Sequence, residues 1–192
     1  IWIERKGWPE PRQVTLTRAV IDIDSVTSKL LDGGIGYVRI KNFRIDTAKD
    51  LHTHLKRLHK ENGGELKGLV LDLRNNPGGL LDQAVLVADS FIERGTLVIT
   101  VGEGRRKREV KTAHPPGTES GYPIIVLVNG GSASGAEIVA NALKQHDRAV
   151  LIGQQTFGKG SVQEVYNLNE SALKLTVAQH LGPDEVSIQS VG

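Results

Sequence analysis

Apolar positions change period along this chain, and each change marks an element. Residues 1–18 alternate apolar and polar side chains and carry Pro9 and Pro11, the pattern of a strand running into a stiff linker. From about Ala19 a core begins in which strands and helices take turns. Residues 35–43 (IGYVRIKNF) read as a strand, 47–61 as an amphipathic helix and 68–73 (GLVLDL) as a buried strand. The succession then repeats. In 80–93 the apolar residues Leu81, Val85, Val87, Ala88, Phe91 and Ile92 fall at helical spacing, while 96–101 (TLVITV) and 108–113 (REVKTA) alternate as a hairpin. An unbroken apolar run at 123–129 (PIIVLVN) suits a strand covered on both faces. A turn of small residues leads from it into a helix at 134–146, and 149–153 supplies another buried strand. Residues 161–168 and 172–179 alternate about Asn169-Glu170 as a second hairpin. Three β-α-β units with apolar central strands predict an α/β fold.

Composition narrows the function. With 192 residues, 39% of them hydrophobic, the chain supports one sizeable core, or one core with a small appendage. Lys and Arg number 24 against 22 Asp and Glu, and the two signs are interspersed, so no basic face for nucleic acid is expected. The basic run Arg105-Arg106-Lys107-Arg108 reads as a solvated hairpin tip. The absence of cysteine excludes a disulfide framework, a thiolate nucleophile and a Cys-ligated metal. No apolar run approaches the roughly 18 residues that cross a bilayer as a helix. The sequence has no methionine, opens inside an alternating segment and stops without a closing element, which reads as a piece of a longer protein.

Two glycine-rich segments carry the candidate chemistry: 129–137 (NGGSASGAE), turning from strand into helix, and 156–163 (TFGKGSVQ), turning from strand into strand. Residues 153–159 fit the opening of a phosphate-binding loop, but such a loop needs Ser or Thr after its lysine and a helix beyond it. Here Gly160 follows Lys159, and the next residues have period two. Lys159 can instead act as a general base. A lysine at its ordinary pKa of about 10.4 holds its proton at neutral pH, so a lysine base needs an apolar, water-poor setting. Phe157 and Val162 are the expected walls, with Gly158 and Gly160 allowing the tight turn.

The first segment puts Ser132 and Ser134 at a helix N-terminus, where unpaired N–H groups favour negative charge. Either serine can serve as a plain helix cap, and Ser134 can equally be a nucleophile beside an oxyanion site. His146 and Asp147 do not complete a triad with it. They lie 12 residues further along one helix, roughly 18 Å away at 1.5 Å per residue. His52, His54 and His59 read as a solvated helix face rather than metal ligands.

Taken together, GSASGAE at 131–137 and TFGKGSVQ at 156–163 resemble the two active-site motifs of the carboxyl-terminal-processing (tail-specific) proteases, a family of Ser-Lys dyad serine endopeptidases. In that family the nucleophile stands three residues before the motif glutamate and the lysine follows 25 later, which are Ser134 and Lys159 here. The likeness continues through VRIKNF, GLVLDLRNNPGG, YPIIVLVN and SIQ, so it spans nearly the whole chain. It implies a ClpP- and crotonase-like core, 19–192, in which Gln163 holds the lysine amine. The oxyanion hole would pair the N–H of Gly135 with one from Gly78 or Gly79, Gly79 being favoured. Metal and organic cofactors are not implied. Residues 1–18 would be the end of a PDZ domain plus its linker, and the substrates would be proteins or peptides with free C-termini. The family likeness also implies an extracytoplasmic, periplasmic setting, with peripheral membrane association and oligomerisation open to the full-length protein. The chain departs from the family at Gly135, usually Ala, at Gln145, where some members are acidic, and at 179–182 (QHLG), where an aromatic pair is familiar. Related folds also include catalytically silent ligand-binding modules and acyl-CoA enzymes, which have no reason to keep both Ser134 and Lys159.

Overall fold

The computed structural model describes residues 1–19, 24–102, 104 and 108–192. Its centre is a five-stranded sheet in the order β3-β4-β5-β8-β9, formed by β3 (Val26–Leu31), β4 (Ile35–Ile40), β5 (Gly68–Asp72), β8 (Ile124–Val128) and β9 (Ala149–Gly153). β3 runs antiparallel to β4 and the other pairs are parallel. Parallel neighbours need crossovers, and helices α1 (Thr47–Asn62), α2 (Leu81–Asp89) and α3 (Gly135–Gln145) supply them. The three predicted β-α-β units are therefore present, and the fold is α/β. β3 lacks a clean period in sequence and was not anticipated.

All three helices cover one face of this sheet. Val38 and Ile40, Leu69 and Leu71, and Ile124, Val126 and Val128 alternate towards that face. They bury there against Leu51, Leu55 and Leu58 of α1, Val87 of α2, and Val139 and Leu143 of α3. The other face is open: Ile125, Val150 and Ile152 are exposed and Leu127 is half-buried. The expectation that 123–129 is covered on both sides is thus corrected. Alternate residues of β8 point to a side on which none of the described elements packs.

A second, antiparallel sheet has the order β10-β11-β6-β7, from β6 (Thr96–Gly102), β7 (Arg108–Thr112), β10 (Ser161–Leu168) and β11 (Ser171–Leu181). Both predicted hairpins are here, and the long β11 joins them by pairing with β10 and β6. Of the expected basic tip, residues 105–107 lie outside the described residues; Arg108 opens β7 and pairs with Glu185 at 2.6 Å. The predicted helix at 80–93 ends early, at Asp89, and Phe91 and Ile92 bury from the turn after it.

At the start of the chain the alternating segment turns back at Gly7. β1 (Trp2–Ile3) and β2 (Arg12–Gln13) pair antiparallel, with Arg5 and Arg12 over the Trp8 ring. The histidine face of α1 is not merely solvated. His54 bonds Ser28 Oγ at 2.7 Å and His59 bonds Glu119 at 3.0 Å, leaving His52 exposed. His146 bonds Thr96 O at 2.7 Å and so anchors α3 to β6.

Candidate active site

Segments leaving the carboxyl ends of β4, β5, β8 and β9 meet at one edge of the sheet, the edge where open α/β sheets place their ligands. The β8 segment carries Ser134 into α3. Ser134 has φ 55° and ψ −114°, a strained conformation for a residue with a side chain, and it stands at a sharp strand-to-helix turn. Ser134 is the N-cap of α3 and forms a capping box with Glu137, so the helix-cap expectation holds for this serine, and the turn presents its side chain at the helix N-terminus. Ser132 is no helix cap: it is fully buried, its Oγ accepting from Asn129 N at 3.0 Å and donating to Leu73 O at 2.8 Å.

Glu137 holds this turn to the lysine segment. Only 3% exposed, it accepts four hydrogen bonds. Oε2 takes the N–H of Ser134 at 2.7 Å and of Lys159 at 2.8 Å; Oε1 takes the N–H of Gly158 at 2.6 Å and the hydroxyl of Thr156 at 2.7 Å. A carboxylate offers about four acceptor sites and no donor, so it suits four converging donors. Phe157 N adds a bond to Ser132 O at 2.9 Å. On the far side the C-terminal segment clamps the same loop: Ser190 N donates to Gly158 O at 2.8 Å and Gly160 N to Gln189 Oε1 at 3.1 Å. Gly158 has φ 80° with the Ser190 backbone against it, so the turn requires glycine there. A strand, β10, follows Lys159, the opposite of what a phosphate-binding loop requires.

The Lys159 side chain is half-buried, as is Val162. Phe157 is not the expected wall. Phe157 is 67% exposed, while its backbone N–H is held by Ser132 O. Among the described residues no hydrogen bond joins the Ser134 hydroxyl to the Lys159 amine. Gln163, expected to hold that amine, is an exposed residue at an irregularity in the β10–β11 register and makes no side-chain bond to it.

Following the backbone donors identifies the free ones. Along 73–80, Leu73 N bonds Leu127 O, Arg74 N bonds Asp72 Oδ1, Asn75 N bonds Asn129 Oδ1 and Asn76 N bonds Leu73 O. Gly78 N bonds Asn76 Oδ1 at 2.8 Å and Leu80 N bonds Phe43 O at 2.9 Å. Pro77 has no N–H, so Gly79 alone in this turn carries a donor without a partner among the described residues. In the serine turn the buried Gly135 N–H is likewise without one. The turns touch: a Cβ on Gly78 would lie 2.7 Å from Ser134 Cβ and 2.9 Å from Gly135 N. A methyl on Gly135 would press the Phe43 ring at 3.0 Å, which accounts for glycine at that position.

Upstream, Asp72 is fully buried at the end of β5. Burial raises its pKa, but hydrogen bonds from Arg74 and Tyr37 and the Arg74 charge outweigh burial and bring it to about 2. The carboxylate also takes Arg74 N at 3.0 Å, so it starts the glycine turn.

A serine on a strained elbow at the carboxyl edge of an α/β sheet, two spare N–H groups beside it and a lysine segment tied to the same helix belong to the serine-peptidase class of site. The chain belongs to Peptidase family S41, whose family model matches residues 34–192. It is 45% identical over 194 residues to the carboxy-terminal-processing protease of Bartonella bacilliformis, covering 99% of this chain and 44% of that protein. It is 36% identical to the carboxyl-terminal-processing protease of Synechocystis, covering 97% and 44%. Its fold matches the solved photosystem II D1 C-terminal processing protease with a TM-score of 0.79 at 34% identity, covering 95% of this chain and 50% of that one. The chain thus spans about half the length of the relatives it matches.

Proposed function

We propose that this chain is the catalytic core of a serine endopeptidase in which Ser134 is the nucleophile and Lys159 the general base. The observation that carries the reading is the Glu137 carboxylate, which grips the backbone of both residues at once beside two unpartnered N–H groups. The neutral Lys159 amine takes the hydroxyl proton as Ser134 Oγ attacks a peptide carbonyl carbon. The oxyanion accepts hydrogen bonds from Gly135 and Gly79, and Gly78 is set aside because its N–H is already engaged. The resulting ammonium protonates the leaving amine. Water, deprotonated by Lys159, then hydrolyses the acyl-enzyme, and the chemistry calls on no metal or organic cofactor. Substrate in the cleft brings hydroxyl and amine into contact, since catalytic hydrogen bonds tighten in the Michaelis complex. Gln163 would then swing onto the amine.

The substrates are proteins with free C-termini, a reading supported by the carboxyl-terminal-processing relatives and by the resemblance of residues 1–18 to the end of a PDZ domain. The same likeness supports an extracytoplasmic site of action, at or near a membrane, with self-association of the full-length protein. In the intact protein, Ser134→Ala abolishes hydrolysis of an unfolded protein substrate and Lys159→Ala lowers it by about 10²–10⁴-fold, with circular dichroism unchanged. A fluorophosphonate labels Ser134 in the wild type. Wild-type turnover in both variants would sink the dyad.

A further inference from the structure

A buried amide organises the glycine turn. Asn76 is fully buried, and its side chain is satisfied at both ends: Nδ2 donates to Ile40 O at 2.9 Å and Oδ1 accepts from Gly78 N at 2.8 Å. Its backbone carbonyl accepts from Ala133 N at 2.9 Å, one residue before Ser134. One residue therefore reaches the end of β4, its own turn and the serine turn. Phe43, three residues beyond Ile40, closes the frame by donating its N–H to Gly78 O and accepting from Leu80 N.

These bonds matter because Gly78 and Gly79 both carry an N–H and only one can face the reacting carbonyl. Gly78 sits against Ser134 Cβ and Gly135 N, and its own N–H points inward to Asn76. Without that acceptor the Gly78 N–H would be a buried, unsatisfied donor, and the turn would rotate to satisfy it. The Gly78 N–H belongs to the 77–78 peptide, and turning that peptide swings the next one, which carries Gly78 O and the Gly79 N–H, through the Gly78 Cα. We infer that Asn76 is a positioning residue of the oxyanion hole: by holding the Gly78 N–H inward it leaves Gly79 as the donor that faces the substrate. The inference rests on the Ser134 acyl-transfer reading and deepens it.

The test uses the intact protein with a peptide substrate, a peptide boronic acid as tetrahedral-adduct probe and the product peptide as ground-state probe. Asn76→Ala removes the acceptor. Asn76→Asp keeps it for Gly78 but turns a carboxylate towards Ile40 O, so it melts no higher than the alanine variant. Expected are a roughly hundredfold loss of kcat in Asn76→Ala with KM within about threefold, and a matching loss of boronate affinity. Product-peptide affinity stays the same, and Asn76→Asp regains at least about tenfold of the lost kcat. A merely structural amide predicts another order, in which activity follows the folded fraction and Asn76→Asp is no better than Asn76→Ala; that result overturns the inference. If Asn76→Ala does not fold, Asn76→Ser, which keeps a shorter acceptor, replaces it with the same expected ranking. A wild type that neither hydrolyses peptide nor labels at Ser134 refutes the acyl-transfer reading. An active wild type with Asn76 variants that follow stability refutes only the role of Asn76.

Discussion

Ser134 and Asp72 each carry a measurable energy that their surroundings impose. At φ 55° the serine is strained by about 1–3 kcal/mol, and glycine at that position has no such strain. Ser134→Gly should therefore melt about 2–4 °C above Ser134→Ala, though both are inactive. Equal melting points would show that the elbow stores no strain. For Asp72 the sign runs the other way. Its folded pKa, about 2, lies below the unfolded value, so its contribution of roughly 2 kcal/mol is complete above about pH 4 and is lost as pH falls towards 2. Urea midpoints measured across that range should fall steeply in the wild type and less steeply in Asp72→Asn. Parallel curves would remove Asp72 from the account.

Elements were more legible in sequence than the bonds between them. The helices at 47–62 and 135–145 and both hairpins follow from period alone, because each buries one face and repeats it. β3 escaped notice since VTSKLL mixes polar and apolar residues on a half-covered edge strand. Ser134 and Lys159 became candidates through their resemblance to the family motifs, whose 25-residue spacing they keep, and Glu137 served only to count that spacing. Its structural role was invisible because its partners are mostly backbone N–H groups from another segment, and a sequence shows residue types rather than donors. The same holds for Asn76. Phe157 misled for a related reason: an aromatic residue beside a lysine reads as a wall, whereas this one is exposed. Glu137→Gln should cost about 3 kcal/mol and at least a hundredfold in turnover, since the amide adds a donor where only donors converge. Turnover within threefold of wild type would sever the link between α3 and the lysine segment.

At the scale of the molecule, the helices shield one side of the central sheet and leave Ile125, Val150 and Ile152 bare on the other. The sequence did not reveal this, because an apolar run looks alike whether or not something rests on it. The relatives run to about twice this length, so the proposed selection of tails is assigned to the longer polypeptide. A longer form should cleave free-tailed substrates faster than amidated ones, and residues 1–192 alone should discriminate less; identical preferences in the two would refute tail selection by the additional part. The shared grip of Glu137 carries a consequence for how such an enzyme is switched. A push on the segment around residue 158, from a partner or from the C-terminal clamp, is transmitted through one carboxylate to the peptide of Ser134. With Lys159 and Ser134 in the proposed roles of base and nucleophile, both would fall out of alignment together, and control through this segment would act as a latch with two settings rather than as a dimmer.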